Sequence, residues 1–260
     1  MDVKIEFPEK PGYGKDAIRF VQSRLCEMAV AVKNILEAHG IPHMLAYGSL
    51  LGAVRHQGFI PWDDDFDFNL FDDSYDAAIM ALKAELPQGM FVEDASTEPK
   101  YFHGWAHVKD LHTCAHCHRW QHDNAYAQRG VHIDLYRIKL MRGRDVAGYL
   151  TAENEAYLQR RRKHGLISES EFAHRLSKLD ASYVIPPEMN DVEGYALINM
   201  YRCKFIPRDF VLPLKRYAFN GVEFLGPDSA DDILKSLYGD YWQFPPYEKR
   251  LPSFDRVERI

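Results

Sequence analysis

The sequence predicts an α+β fold: a mixed β-sheet with flanking helices over about residues 40–140, then a helical C-terminal part over about 145–260. Three observations carry this expectation. Strand-like and helix-like segments intermix through the first half of the chain. Phe66, Phe68 and Leu70 alternate with Asp65, Asp67 and Asn69, the period-2 pattern of a half-buried strand. Beyond residue 150, helical segments follow one another at Thr151–His164, Ser168–Leu179 and about Val192–Met200. No internal repeat, low-complexity tract or linker interrupts residues 1–260, so they read as a single domain.

In chain order, Pro8 to Gly14 reads as an irregular arm. From Lys15 to His39, Ile18, Val21, Leu25, Met28, Val32, Ile35 and Leu36 recur at helical spacing, and Gly40 with Pro42 ends that helix. His43 to Tyr47 reads as a short strand leading into the Gly48-Ser49 turn. Ser49 is an N-cap candidate for a helix over Leu50–Arg55. After the Asp/Phe strand, Ser74 caps a helix running to Leu86. Strands are expected at Met90–Glu93, Trp105–Asp110, Thr113–His118 and Val131–Leu140. A strand at Gly221–Leu225 and a helix capped near Asp228 follow the C-terminal helices, and the chain closes with aromatic and proline-rich segments at Tyr238–Trp242 and Phe244–Pro246.

Composition narrows the function. The chain is 46% apolar and 27% charged, ordinary for a folded protein. Its net charge of −6 argues against a general nucleic-acid binder, because phosphate backbones are held by basic surfaces. No apolar run approaches the ~20 residues of a membrane span, and Met1–Glu6 lacks the apolar core of a signal peptide. Cys26, Cys114, Cys117 and Cys203 suit a reducing compartment better than a disulfide scaffold. The expectation is a cytoplasmic enzyme, with peripheral contact at the inner face of the membrane left open.

The run Asp63-Asp64-Asp65-Phe66-Asp67 is the chemical centre of the sequence. Carboxylates this close repel one another, and the natural counter-charge is a divalent cation, whose natural substrate is a phosphate ester. In an extended strand, residues i and i+2 share a face, about 6.5–7 Å apart. Asp65 and Asp67 therefore project together. Asp63 joins them if the strand starts early, and Asp64 then points away. Asp134, flanked by Ile133 and Leu135, is the candidate third carboxylate, because burying an unpaired one is costly. Gly48 and Ser49 at a helix start suit phosphate oxygens, and Arg55 and Lys109 are further candidates for phosphate contact, although a helix-end arginine also complements the dipole. The pattern points to metal-dependent phosphoryl or nucleotidyl transfer, with Asp63, Asp65, Asp67 and Asp134 as ligand candidates.

A Gly-Ser turn, an Asp-hydrophobic-Asp strand and a third acidic strand resemble the nucleotidyltransferase fold. More narrowly, Gly48-Ser49-Leu50-Leu51-Gly52-Ala53-Val54-Arg55-His56, followed by Gly58-Phe59-Ile60-Pro61-Trp62-Asp63-Asp64-Asp65, resembles the LicD family of phosphorylcholine transferases and fukutin-related ribitol-phosphate transferases. The likeness continues at Gly130–Leu135, at Leu237–Tyr241 and at Pro245-Pro246, so it spans roughly residues 20 to 250. It implies transfer of a phospho-alcohol (phosphocholine, ribitol phosphate or similar) from a CDP-activated donor to a sugar hydroxyl of a cell-surface glycan or lipid-linked precursor. Mg²⁺ or Mn²⁺ is the implied cofactor and CMP the product. Asp65, Asp67 and Asp134 become the implied catalytic residues, with Asp63 added to the metal set. The same carboxylates also suit an enzyme that attaches a nucleoside monophosphate to a small hydroxyl compound.

His112-Thr113-Cys114-Ala115-His116-Cys117-His118 offers a different reading. Cys114 and Cys117, joined by two of His103, His107, His116, His118 and His122, would bind Zn²⁺ and organise a scaffold with a degenerate acidic site. No second C-x-x-C or H-x₃-H partner supports it, and a strand with His and Cys on a partly exposed face is the favoured explanation of the stretch. The basic run Arg160–Lys163 ends a helix that starts with Glu153 and Glu155. It complements the helix dipole, the alternative being an anionic lipid surface. Tyr238–Trp242 suits either a stacked base or sugar, or a closed core.

Overall fold

A computed structural model describes residues 5–118, 126–179, 183–198 and 203–260. Helix α1 (Lys15–Ala38) buries Ile18, Val21, Leu25, Met28, Ala29, Val32 and Leu36, the single apolar stripe that its spacing requires. Gly40, at φ 63, turns the chain into β1 (His43–Leu45). Helix α2 (Tyr47–His56), β2 (Phe66–Phe71), α3 (Tyr75–Glu85), β3 (Met90–Glu93), β4 (Ala106–Asp110), β5 (Thr113–His116) and β6 (His132–Arg142) follow. The remainder comprises α4 (Gly143–Lys163), α5 (Glu169–Leu176), β7 (Glu193–Ile198), β8 (Cys203–Pro207), α6 (Arg208–Val211), β9 (Lys215–Phe219), β10 (Val222–Gly226), α7 (Ala230–Tyr238) and β11 (Arg256–Arg259). The class is α+β, as expected.

The seven-stranded sheet runs β1-β2-β6-β4-β3, with β7 pairing the far end of β6 and β8 pairing β7. It is mixed: β2 and β6 are parallel, while β1 with β2, β4 with β6 and β3 with β4 are antiparallel. The β9–β10 hairpin covers one face of β2. Phe66 packs against Phe219 at 5.1 Å between ring centroids, and Phe68 against Phe224 at 6.0 Å. Asp67 and Asn69, on the opposite face, are also buried, so β2 is fully rather than half buried. A strand enclosed on both faces can hold carboxylates only where the second face meets a cavity, a partner or an ion.

Several local expectations need correction. Helix α2 begins at Tyr47 and is preceded by Ala46, so Ser49 lies inside the helix and is not its N-cap. Helix α4 begins at Gly143 rather than Thr151. The helix expected over Val192–Met200 is strand β7 as far as Ile198, and its last two residues lie outside the described set. Tyr195, Ala196 and Leu197 are apolar in either conformation. Pairing with Leu140, Lys139 and Ile138 at the end of β6 decides for the strand.

Within the basic run in α4, Arg160 and Arg161 turn inward, whereas Arg162 and Lys163 are exposed. Arg160 Nε donates to the Phe102 carbonyl at 2.8 Å, Arg161 is buried against Tyr157 and Phe102, and Arg162 stacks on Phe172 at 4.3 Å. These contacts join α4 to α5 and to the segment before β4. Among the described residues, no helix is long and apolar enough to cross a membrane.

Candidate active site

The parallel pairing of β2 with β6 places Asp67 directly beside Asp134 in register. The turn before β2 brings Asp63 and Asp65 to the same place, with their side chains within hydrogen-bonding reach of each other. Asp64 also borders that place, but its carboxylate is engaged, accepting the backbone N–H groups of Ser253 at 2.8 Å and Phe254 at 2.9 Å. Asp63, Asp65, Asp67 and Asp134 all line one cavity of about 1020 Å³.

Gly48 is required there by space. A Cβ at this position would sit 2.8 Å from Asp63 Oδ2 and 3.8 Å from Asp67 Oδ2. The Gly48 amide hydrogen-bonds the Asp67 carboxylate, and Ser49 Oγ accepts the Asp67 N–H at 2.9 Å. Ser49 is buried behind the cavity wall. The Gly-Ser turn, expected to contact substrate, therefore fixes Asp67 through both residues, and only Gly48 reaches the cavity.

The carboxylates divide electrostatically. Burial, and then repulsion from neighbouring aspartates, pushes Asp65 and Asp67 well above the usual carboxylate range. Asp63 rises for the same reasons, with partial relief from Asp65 and Arg55. Asp134 behaves oppositely. Burial alone would raise it, but His107, His132 and the Trp105 indole more than offset that and hold its carboxyl below the usual range. Trp105 Nε1 donates to Asp134 Oδ1 at 2.6 Å, His107 Nε2 lies 3.0 Å from the same oxygen, and His132 Nε2 lies 3.8 Å from Oδ2.

Behind His107 stands Glu93. Its Oε2 lies 3.3 Å from His107 Nδ1 and 3.5 Å from Lys109 Nζ, with all three side chains buried. Burial alone would lower His107, yet Asp134 and Glu93 raise it. Lys109 lines the cavity as expected, but it is also the counter-charge of Glu93. One ligand atom from each of His107, His132 and Asp134 lies within 4.8 Å of the others, a grouping the sequence reading had not assembled.

The donor set lining this cavity, carboxylates together with imidazoles, suits a divalent cation, and among the described residues the ligand atoms close enough to share one are those of His107, His132 and Asp134. Asp63, Asp65 and Asp67 line the cavity, raised by burial and then by mutual repulsion, with Arg55 partly relieving Asp63. Zn²⁺ at the cysteines finds no such support among the described residues. Cys114 Sγ lies 3.8 Å from His116 Nε2, Cys117 Sγ donates to the Ser253 carbonyl, and neither joins the His107–His132–Asp134 group. In the extended segment at β5 these cysteines, three positions apart, point to opposite faces. His122 lies outside the described residues.

The same cavity is lined by Arg55 on α2, by Trp62 just before the acidic turn, and by Tyr238, Tyr241, Phe244 and Arg250 of the C-terminal segment, so the aromatic motif near 240 faces the cavity. Arg250 was invisible to sequence reasoning, because its place depends on a segment that returns from the far end of the chain to Glu6 and Asp64.

Residues 40–164 match the family model described as LicD/FKTN/FKRP, nucleotidyltransferase domain. Over 244 aligned residues, the chain is 23% identical to the lipopolysaccharide cholinephosphotransferase LicD of Haemophilus influenzae, covering 84% of this chain and 88% of that one. A segment of 47 residues, 18% of the chain, is 49% identical to the ribitol 5-phosphate transferase FKRP of Homo sapiens and spans 10% of that protein. A segment of 37 residues is 49% identical to the uncharacterized protein RP689 of Rickettsia prowazekii, 14% of each chain. The matched span contains Gly48, the Asp63–Asp67 turn, Glu93, His107 and Asp134, the same residues that the fold gathers around the cavity. Residues 40–164 of this chain are a LicD family domain, and the protein is a transferase.

Proposed function

We propose that the protein transfers a phospho-alcohol from a CDP-activated donor to a sugar hydroxyl of a glycan or lipid-linked glycan, releasing CMP. The observation that carries this reading is that Asp63, Asp65 and Asp67, all raised by burial and mutual repulsion, line the same cavity as the guanidiniums of Arg55 and Arg250. A diphosphate complexed with a divalent cation presents both charges such a cavity accepts. The relatives named for cholinephosphate and ribitol 5-phosphate transfer support the class of transferred group.

Asp63, Asp65 and Asp67 would hold the ion, with Asp134 offering Oδ2, since Oδ1 is engaged by Trp105 and His107. Bound there, Mg²⁺ or Mn²⁺ supplies Lewis-acid neutralisation of the donor diphosphate. The chain's own residues do the rest. Gly48 and Ser49 keep Asp67 in place, the Glu93–His107 pair orients Asp134, and Arg55 meets phosphate charge. A carboxylate in the trio accepts the proton of the acceptor hydroxyl. Residues 1–260 act as one catalytic unit, on the cytoplasmic side of the membrane in this proposal.

The test is CMP release from CDP-choline, CDP-ribitol and CDP-glycerol by purified protein with Mg²⁺ and a glycan acceptor. At least one donor is expected to yield CMP, and Asp67→Ala is expected to remove at least ~10³-fold of the rate with no loss of thermal stability. CMP release by Asp67→Ala at the wild-type rate would refute the assignment. Transfer of the nucleoside monophosphate itself to the acceptor would instead identify a nucleotidyltransferase.

A further inference from the structure

The cavity that the carboxylates line also holds two arginines on one aromatic platform. Arg55 Cζ lies 4.6 Å from the centroid of Phe244, and Arg250 Cζ lies 5.5 Å from the same ring and 5.7 Å from that of Trp62. Both guanidiniums are half-buried and both line the cavity. Like charges on one ring repel, and Arg250 acts against the charge of Arg55. Neither forms an ion pair among the described residues. Arg55 is relieved at longer range by Asp63 and Tyr238.

Their orientation is nonetheless fixed. Arg55 Nε donates to His56 Nε2 at 2.9 Å, and its Nη1 donates to the Tyr241 carbonyl. Arg250 Nε donates to the Pro245 carbonyl at 2.8 Å, and its Nη1 to the Glu6 carbonyl at 2.9 Å. In both side chains Nη2 has no hydrogen-bond partner among the described residues. Two oriented guanidiniums that share a ring, lack carboxylates and keep a free edge make a pre-formed receptor for a planar or branched oxyanion.

Resting on the donor reading above, we infer that Arg55 and Arg250 clamp the phosphate groups of a nucleoside diphosphate, with Trp62 and Phe244 as the platform that holds the clamp open. The same geometry assigns the alcohol to another part of the cavity. A quaternary ammonium needs bare aromatic faces, whereas Phe244 and Trp62 already carry guanidiniums and add like charge. Arg250 thus becomes a binding residue supplied from outside the matched 40–164 span.

Calorimetric titration of the full chain with inorganic pyrophosphate, CDP and cytidine tests the clamp. Pyrophosphate and CDP are expected to bind, with cytidine much weaker. Arg250→Gln is expected to weaken both anions roughly ten- to hundredfold, the loss of one or more charge-assisted hydrogen bonds, while leaving cytidine unaffected. Arg250→Lys is expected to fall between them, because it keeps the charge and loses the fork. Should Arg250→Gln fail to fold, indole emission of wild-type protein is to change on adding pyrophosphate, and that change is to disappear in Trp62→Phe. Unchanged anion affinity in Arg250→Gln, an emission change retained in Trp62→Phe, or no pyrophosphate binding by wild type overturns the clamp. The two readings separate cleanly. Arg250-dependent pyrophosphate binding without CMP release from any donor defeats the reaction and keeps the clamp, whereas CMP release by Arg250→Gln at wild-type KM defeats the clamp and keeps the reaction.

Discussion

At the scale of single residues, the contrast between Lys109 and Asp67 decides what each charge is for. Asp67 is raised by burial and by neighbouring carboxylates, and its surroundings would be relieved by removing it. Lys109 is 2% exposed with its ammonium 3.5 Å from Glu93. Glu93 in turn faces His107, and its Oε1 is buried without a hydrogen bond among the described residues. Removing that carboxylate leaves a buried ammonium unpaired, a change that costs about 3–5 kcal/mol. Glu93→Gln is therefore expected to lower the urea midpoint markedly, and the double variant Glu93→Gln/Lys109→Met to recover most of the loss. If Glu93→Gln unfolds with the wild-type midpoint, Lys109 is free to serve substrate instead. Asp65 and Asp67 were legible because two-residue spacing alone puts them on one face. Glu93 and His107 were not, because only the antiparallel pairing of β3 with β4 sets Glu93 opposite His107.

At the scale of elements, the same distinction explains which segments the sequence revealed. Met90–Glu93 and the long stripe of α1 follow from local pattern and came out nearly as expected. β7 did not, since an apolar run such as Tyr195-Ala196-Leu197 has no period of its own and takes its conformation from β6. The C-terminal segment is the extreme case. Its pattern offers no period beyond Pro246, yet it lines the site because Asp64 holds Ser253 and Phe254, and Lys10 Nζ holds the Phe254 carbonyl at 2.9 Å and Asp255 at 3.1 Å. Asp64→Ala removes two hydrogen bonds to one charged acceptor, each worth about 1.5–3 kcal/mol locally. The expected result is faster amide exchange over residues 250–257 with β6 unchanged, together with a raised KM for the donor. Uniform exchange across both segments would mean that the strap is held elsewhere.

At the scale of the whole molecule, the acidic trio makes stability depend jointly on pH and on divalent cations. Burial, then the neighbouring aspartates, raises Asp63, Asp65 and Asp67 in the folded state, and burial lifts Asp64 to about 6. A carboxyl raised above its unfolded value binds more protons folded than unfolded. Its contribution is thus full below about pH 4 and is lost as pH rises through the folded value. Asp134, held low, has the opposite sign and loses its contribution only as pH falls through that lowered value. Without divalent cation, the acidic cluster should therefore erode stability from about pH 4 upward, and pH 8 lies above the folded values of Asp63, about 7, and Asp64, about 6. A cation that binds only the folded, ionised cluster stabilises by mass action, and it competes with protons at lower pH. The gain in melting temperature on adding Mg²⁺ should accordingly be several degrees larger at pH 8 than at pH 5, and should vanish in Asp65→Asn/Asp67→Asn. That double variant, freed of repulsion, should itself melt higher than the metal-free wild type at pH 8. A Mg²⁺ shift equal at both pH values, or one retained by the double variant, would place the ion away from the trio and leave its gathered charge without a purpose.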